Sequence, residues 1–304
     1  MLHNDAVHGA LQAMLRHDAS IPSPHRVTVG LLGRGITESL SPIMHEEEGR
    51  RLGLSYAYHL VDFDQLGLAD AQLLEVLDAA RRLGFAGCNV TYPFKQSVLP
   101  LLDGLSPEAA GIGAVNTVVF ANGRSTGHNT DCWGFAESFR LGLGAAPMAR
   151  VLQIGSGGAG AAVAVALLQL GVGALDIFDT EPERARQLAE RLRGRFAADV
   201  NAVDDPSAAV SSASGVVNAT PVGMDKYPGT PIDPALLDER QWVADVVYFP
   251  RETALIQQAR ARGCRVLPGG GMAVYQAVRA FELFSGVRPD GAAMTATFRR
   301  AAGV

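Results

Sequence analysis

A strand, a glycine turn and a helix follow one another without a break at residues 150–170. RVLQI (150–154) is an aliphatic strand pattern. The turn Gly155-Ser156-Gly157-Gly158-Ala159-Gly160 satisfies GxGxxG through Gly155, Gly157 and Gly160. An Ala/Val/Leu helix opens directly on it. Glycines let the backbone turn tightly and approach a pyrophosphate seated on the helix N-terminus. The bland alternative is a glycine-rich helix-packing turn. The segments that follow keep the alternation: strand 174–178, helix 183–193, strands 215–218 and 243–247, helix 253–262 and strand 265–267. That order predicts a doubly wound dinucleotide-binding domain.

The strand ALDIFD ends at Asp179, about twenty residues beyond the last glycine of the turn. An acidic side chain there accepts hydrogen bonds from the adenosine ribose hydroxyls and repels a 2′-phosphate. Thr180, Glu181, Pro182 and Glu183 follow it, with no Arg or Lys among them. The pattern points to NAD over NADP. The alternative is that Asp179 only caps the next helix, with Arg184 or Arg186 folding over a phosphate.

The N-terminal half also alternates. Residues 27–32 read as a buried strand, 42–52 as a helix, 56–61 as a strand and 66–83 as a long amphipathic helix. Strands at 85–91 and 114–120 come next, then the turn Asn122-Gly123 before a short strand, and a connecting helix at 131–142. A mostly parallel sheet covered on both faces is expected. The final helical region, 272–304, is expected to pack back on the first domain. The predicted class is thus α/β, with 1–130 plus 273–304 as a substrate-binding domain and 131–272 as the Rossmann-type domain. Residues 1–25 read as a short helical or disordered extension.

Composition removes several classes of function. The net charge of −5 does not favour a nucleic-acid partner. No apolar run reaches the ~18 residues of a membrane span, and the N-terminus holds His and Asp where a signal peptide is apolar. Cys88, Cys132 and Cys264 are far apart, which fits a reducing cytoplasm and no metal site.

Polar residues gather at segment ends in the first half. Ser39 and Ser41 share one side of an extended segment before a helix, and two hydroxyls beside free helix N–H groups suit a carboxylate. Ser41 as an ordinary N-cap, with Pro42 at the first helical position, is the alternative. Thr91, Asn116, Thr130 and Asp131 occupy strand-end positions that suit a polyhydroxylated ligand. Lys95 follows Pro93 in the same turn region. A lysine there acts as a base if burial lowers its pKa, as a charged stabiliser of a developing alkoxide, or as a solvated surface residue. A negative Asp131 nearby would favour the charged form.

Taken in order, SLSP (39–42), NVTYPFK (89–95), GAVNTVV (113–119), GHNTD (127–131), GSGGAG (155–160), NATPVGM (218–224), DVVYFP (245–250) and GGGMAVYQ (269–276) resemble the shikimate/quinate dehydrogenase family. The resemblance covers nearly the whole chain after about residue 26. It implies that Ser39 and Ser41 bind the substrate carboxylate, and that Lys95 and Asp131 form the catalytic pair. It further implies that Thr91, Asn116 and Gln276 hold ring hydroxyls, with Tyr248 also at the substrate. Gly155, Gly157, Gly158, Gly160 and Asp179 are expected to hold the dinucleotide, flanked by Thr220 and Met272 near the nicotinamide. Met272 and Gln276 are four residues apart, so one helical face presents both.

Three departures from the family pattern are informative. NADP-using members carry an Asn-Arg-Thr-like tripeptide where this chain has Asp179-Thr180-Glu181. Glu38-Ser39 replaces His-Ser, and HEEEG (45–49) replaces the usual continuation. These features resemble the NAD-preferring quinate/shikimate branch, and Ser41, where some members of that branch have Thr, leans towards shikimate. The expected activity is therefore reversible, NAD-dependent oxidation of shikimate to 3-dehydroshikimate, with quinate as second substrate. A mainly quinate-directed enzyme, an aminoshikimate-type dehydrogenase and a non-catalytic shikimate/quinate sensor are the alternatives. A cytoplasmic monomer or homodimer with no membrane partner is expected.

Overall fold

The computed structural model describes residues 7–9, 11–13 and 26–303. Most of the expected N-terminal extension, 1–25, lies outside the described residues. Residues 7–9 and 11–13 are helical, with Val7 and Leu11 buried in a hydrophobic core. The chain divides into two compact units, 1–130 with 277–304, and 131–276.

The first unit is built on six strands: β1 (Arg26–Gly33), β2 (Ser55–Asp62), β3 (Gly87–Val90), β4 (Gly104–Leu105), β5 (Thr117–Ala121) and β6 (Arg124–His128). Their order across the sheet is β2-β1-β3-β5-β6-β4. β1 is parallel to β2 and to β3, with Val29 opposite both Tyr58 and Gly87. Only β5 runs against its neighbours, antiparallel to β3 and to β6, while β6 pairs in parallel with β4. The sheet is mostly parallel, as expected, with β5 as its one reversed strand, and the β5–β6 pair is antiparallel for a local reason. Only Asn122 and Gly123 link β5 to β6, both with positive φ (52° and 73°). Two such residues make a hairpin turn that matches strand twist, whereas a parallel crossover needs a dozen or more residues.

The helix Leu73–Arg82 buries Leu73, Val76, Leu77 and Ala80 at helical spacing against Phe63, Val90, Phe94 and Val118. It is shorter than the expected 66–83. Gly67 adopts φ 63° in a turn, and the helix proper follows a 3₁₀ turn at Asp70–Gln72. The other face of β1 presents Val29 and Leu31 to Ala280 and Phe284. The expected final helical region is two helices, Gly270–Ser285 and Gly291–Ala301. Gly286 has φ 69° between them, and the Asp290 carboxylate caps the second by accepting from Ala292 and Ala293 N–H.

The second unit holds β7 (Arg150–Ile154), β8 (Ala174–Phe178), β9 (Asp199–Ala202), β10 (Gly215–Asn218), β11 (Trp242–Asp245) and β12 (Arg265–Leu267). All pair in parallel, in the order β12-β11-β10-β7-β8-β9. The chain winds outward from β7 to β9, then returns to β10 on the other side of β7. That reversal places a switch point between the carboxyl ends of β7 and β10, where open α/β sheets bind ligands. β9 escaped the sequence reading because only Val200 in it is buried, so it lacks an apolar pattern. Among the described residues no helix is long and apolar enough to cross a membrane.

Candidate active site

β7 delivers the glycine turn to the switch point, and the helix Gly158–Gln169 leaves from it. Gly155 has φ 100°, and a Cβ there would lie 2.7 Å from Ala219 O and 2.8 Å from Thr220 Cγ2. The turn is therefore pressed against the loop that follows β10, and only glycine fits. Gly157 faces open space, with nothing within 4 Å of a Cβ built on it. Backbone that is tight beneath and open above, at a helix N-terminus, suits a pyrophosphate.

Asp179, just past β8, reaches back to this turn. Its Oδ2 accepts from Ser156 N (2.8 Å) and Ser156 Oγ (2.6 Å), and its Oδ1 from Glu181 N (3.0 Å). Burial pushes the Asp179 carboxyl up, but the Ser156 hydroxyl, the two backbone N–H groups and Arg184 outweigh it. The net effect holds the group below the usual carboxylate range, so it is an anion at neutral pH. It touches both the glycine turn and the start of the next helix. Arg184 pairs with Glu181 (3.0 Å), and Arg186 with Glu183 (3.7 Å) and Asp204 (3.3 Å).

A buried polar chain runs beneath the loops after β10 and β11. Asn218 Nδ2 donates to Asp245 Oδ1 (2.9 Å) and Val222 O (2.8 Å), while Asn218 Oδ1 accepts from Thr220 Oγ1 (2.7 Å). Val247 N and Thr253 Oγ1 also donate to Asp245. Burial pushes the Asp245 carboxyl up to about 6 despite these donors. The chain fixes Thr220 against Gly155 and so sets the far wall of the turn.

In the first unit, Ser39 Oγ accepts from Ser41 N (3.3 Å), and the helix begins at Ser41 itself. The N-cap is therefore Leu40, with no side-chain cap, and Ser41 is the first helical residue rather than the expected N-cap. Thr91 lies at the end of β3, its N–H on Leu32 O, and Phe94 N–H returns to Thr91 O. Lys95 sits in the short helix Phe94–Ser97, where its carbonyl accepts from Val115 N. Asn116 is buried in a knot with Thr117 and Thr130. Its Oδ1 accepts from Thr130 N (2.7 Å) and its Nδ2 donates to Thr130 Oγ1 (2.9 Å). Asn89 extends the knot, donating to Thr117 Oγ1 (2.9 Å) and accepting from Tyr58 OH (2.8 Å). These bonds tie β2, β3 and β5 to the segment that leads into the helix Thr130–Gly142.

In the second unit, Asp131 is buried in the first turn of that helix, where the helix dipole favours a carboxylate. Burial, and then the negative charge of Asp131, push the Tyr248 phenol above its ordinary value, so these two expected site residues share one field. Met272 is buried; the Gln276 amide donates to Ala273 O (2.9 Å) in its own helix. A Cβ on Gly134 would lie 2.6 Å from Gln276 N, so the helices carrying Asp131 and Gln276 approach backbone to side-chain-free backbone.

The structure brings together Gly155 with Thr220, Ser156 with Asp179, Ser39 with Ser41, and Tyr248 with Asp131. Ser39, Ser41, Thr91, Lys95 and Asn116 belong to the first unit; Asp131, Tyr248, Met272, Gln276 and the dinucleotide loop belong to the second. The sequence reading did not single out Asn89, Gln153, Asn218 or Asp245. The signal available for each was a polar residue inside or at the end of an aliphatic strand.

Comparison with known proteins finds two matching segments. Residues 31–118 match the family model "Shikimate dehydrogenase substrate binding domain", and residues 269–297 match "Shikimate 5'-dehydrogenase C-terminal domain". The chain is 51% identical to a shikimate dehydrogenase (NADP(+)) of Streptomyces avermitilis, covering 90% of this chain and 96% of the relative. It is 47% identical to a quinate/shikimate dehydrogenase (NAD(+)) of Corynebacterium efficiens, over 90% and 97% of the two chains. Among solved structures it resembles quinate dehydrogenase from Corynebacterium glutamicum in complex with NAD, with TM-score 0.83 and 44% identity over 90% and 99%.

Proposed function

The chain belongs to the shikimate dehydrogenase family, and from that premise we propose that it oxidises shikimate to 3-dehydroshikimate reversibly with NAD, and quinate as second substrate. It is an oxidoreductase that uses a nicotinamide dinucleotide. Similar relatives carry both cofactor names, so the residues must decide between NAD and NADP. The observation that carries the choice is the anionic Asp179, held at the end of β8 and on the glycine turn by Ser156. A carboxylate in that place accepts from ribose hydroxyls and repels a 2′-phosphate. Arg184 and Arg186, which a phosphate would need, are already paired with carboxylates.

The bound nicotinamide supplies the hydride acceptor. On the protein side, we assign the carboxylate of the substrate to Ser39 and Ser41. Thr91, Asn116 and Gln276 serve the ring hydroxyls, and Tyr248 contacts the substrate beside Asp131. Lys95 and Asp131 take the proton from the carbinol as it becomes a ketone. The dinucleotide rests on Gly155, Gly157, Gly158 and Gly160, with Asp179 at the ribose and Thr220 and Met272 near the nicotinamide. A reducing cytoplasm suits three buried cysteines that form no disulfide.

Initial rates over a two-by-two grid, shikimate or quinate with NAD or NADP, test this reading. Faster NAD reduction with shikimate is expected. NADP preference would sink the Asp179 argument, faster quinate turnover would reverse the substrate order, and silence in all four cells would favour a binding protein.

A further inference from the structure

β7 carries a polar residue where its neighbours are aliphatic. Val151, Leu152 and Ile154 are buried, and Gln153 among them is wholly buried. A buried carboxamide is costly unless its groups are bonded. Both hydrogens of Gln153 Nε2 are used, on Gly155 O (2.8 Å) and on Gly160 O (2.8 Å). Its Oε1 is buried with no partner. An aliphatic residue of similar size would avoid that orphaned acceptor, so core packing alone does not explain a glutamine here.

We propose that Gln153 is a positioning residue for the dinucleotide: from beneath, it clamps the carbonyls at the first and last glycines of the turn. Drawing those two carbonyls inward keeps them from facing an anion at the turn, as an anion-binding loop requires; the N–H groups of Gly155 and Ser156 are themselves held by Phe178 O and Asp179 Oδ2. The clamp also closes the turn tightly. A Cβ on Gly160 would lie 2.3 Å from Gly155 O and 3.2 Å from Gln153 Nε2. Asp179 holds Ser156 from the β8 side, so side chains from two adjacent strands set the curvature of one loop. Gln153 is buried below the turn, so it acts through the loop's shape. The inference rests on reading this loop as the dinucleotide site.

Gln153→Met keeps the volume and removes the bonds. Its KM for NAD is expected to rise about tenfold, with kcat and the shikimate KM at saturating NAD unchanged. The melting temperature is expected to change little, because the loss of the orphaned oxygen offsets the two carbonyls that lose their donor. An unchanged KM for NAD would overturn the inference and leave the dehydrogenase reading standing. So would a melting temperature that falls together with kcat, which marks a merely structural residue. A parent protein that neither binds nor reduces NAD or NADP would overturn both.

Gln153→Glu gives a second readout. Its carboxyl has one hydrogen to donate when protonated and none when ionised. The KM for NAD, relative to the parent, is therefore expected to fall as pH falls. A pH-independent ratio would count against the clamp even if the Met variant failed to fold.

Discussion

At the scale of single residues, two carboxylates in similar loop positions have opposite fates. Asp179 is met by the Ser156 hydroxyl and two backbone N–H groups, and stays ionised. Asp245 is buried so deeply that its carboxyl rises to about 6 in spite of three donors. The unfolded reference is ~3.9, so the protonated form is favoured by folding. Its contribution to stability is present in full below the unfolded value and is lost as pH rises through about 6. Asp245→Asn still accepts from Asn218 and Val247, and the Thr253 hydroxyl can rotate to accept. The parent is expected to lose on the order of 2 kcal/mol relative to this variant between pH 4 and pH 7. Paired thermal melts across that range check it; parallel curves would remove the burial argument. The role proposed for Lys95 concerns chemistry rather than stability. Lys95→Ala is expected to lower kcat by about 10²–10⁴ with a modest change in substrate KM and no change in melting temperature. An unchanged kcat in steady-state assays would take Lys95 out of the catalytic pair.

At the scale of elements, glycine sets how closely helices approach. Gly134 lies on the helix that begins with Thr130 and Asp131, against the helix that carries Met272 and Gln276. A methyl group at Gly134 would have to push Gln276 N away from 2.6 Å. Gly134→Ala should cost about 1–3 kcal/mol by overpacking. Because Asp131 and Gln276 shift while the glycine loop does not, kcat and the shikimate KM should worsen with the NAD KM unchanged. Kinetics that move only the NAD KM would place the effect elsewhere. The β5–β6 hairpin teaches a related lesson. The turn at Asn122-Gly123 was legible as a turn, yet its length also dictates that β5 and β6 pair antiparallel.

At the scale of the whole molecule, the proposed site residues belong some to one unit and some to the other, each unit with its own six-stranded sheet. NAD alone is expected to slow amide exchange at 155–160, 179–181 and 219–224 in the second unit. Shikimate alone should slow it at 39–44 and 91–96 in the first. Exchange mass spectrometry that found NAD protection confined to the first unit would contradict the assignment. The α/β class, the glycine turn, Asp179 and the order of the motifs were all readable from the chain alone. Their signals are local: periodicity within one element, or spacing across one turn. The chain alone did not reveal that the helix expected to be capped by Ser41 begins at Ser41 itself, nor the buried chain Thr220–Asn218–Asp245–Thr253. It also hid Gln153 beneath the glycine loop. Those depend on which buried donor meets which acceptor across strands far apart in sequence. A lone polar residue in an aliphatic strand looks like a packing blemish until the fold supplies its partners.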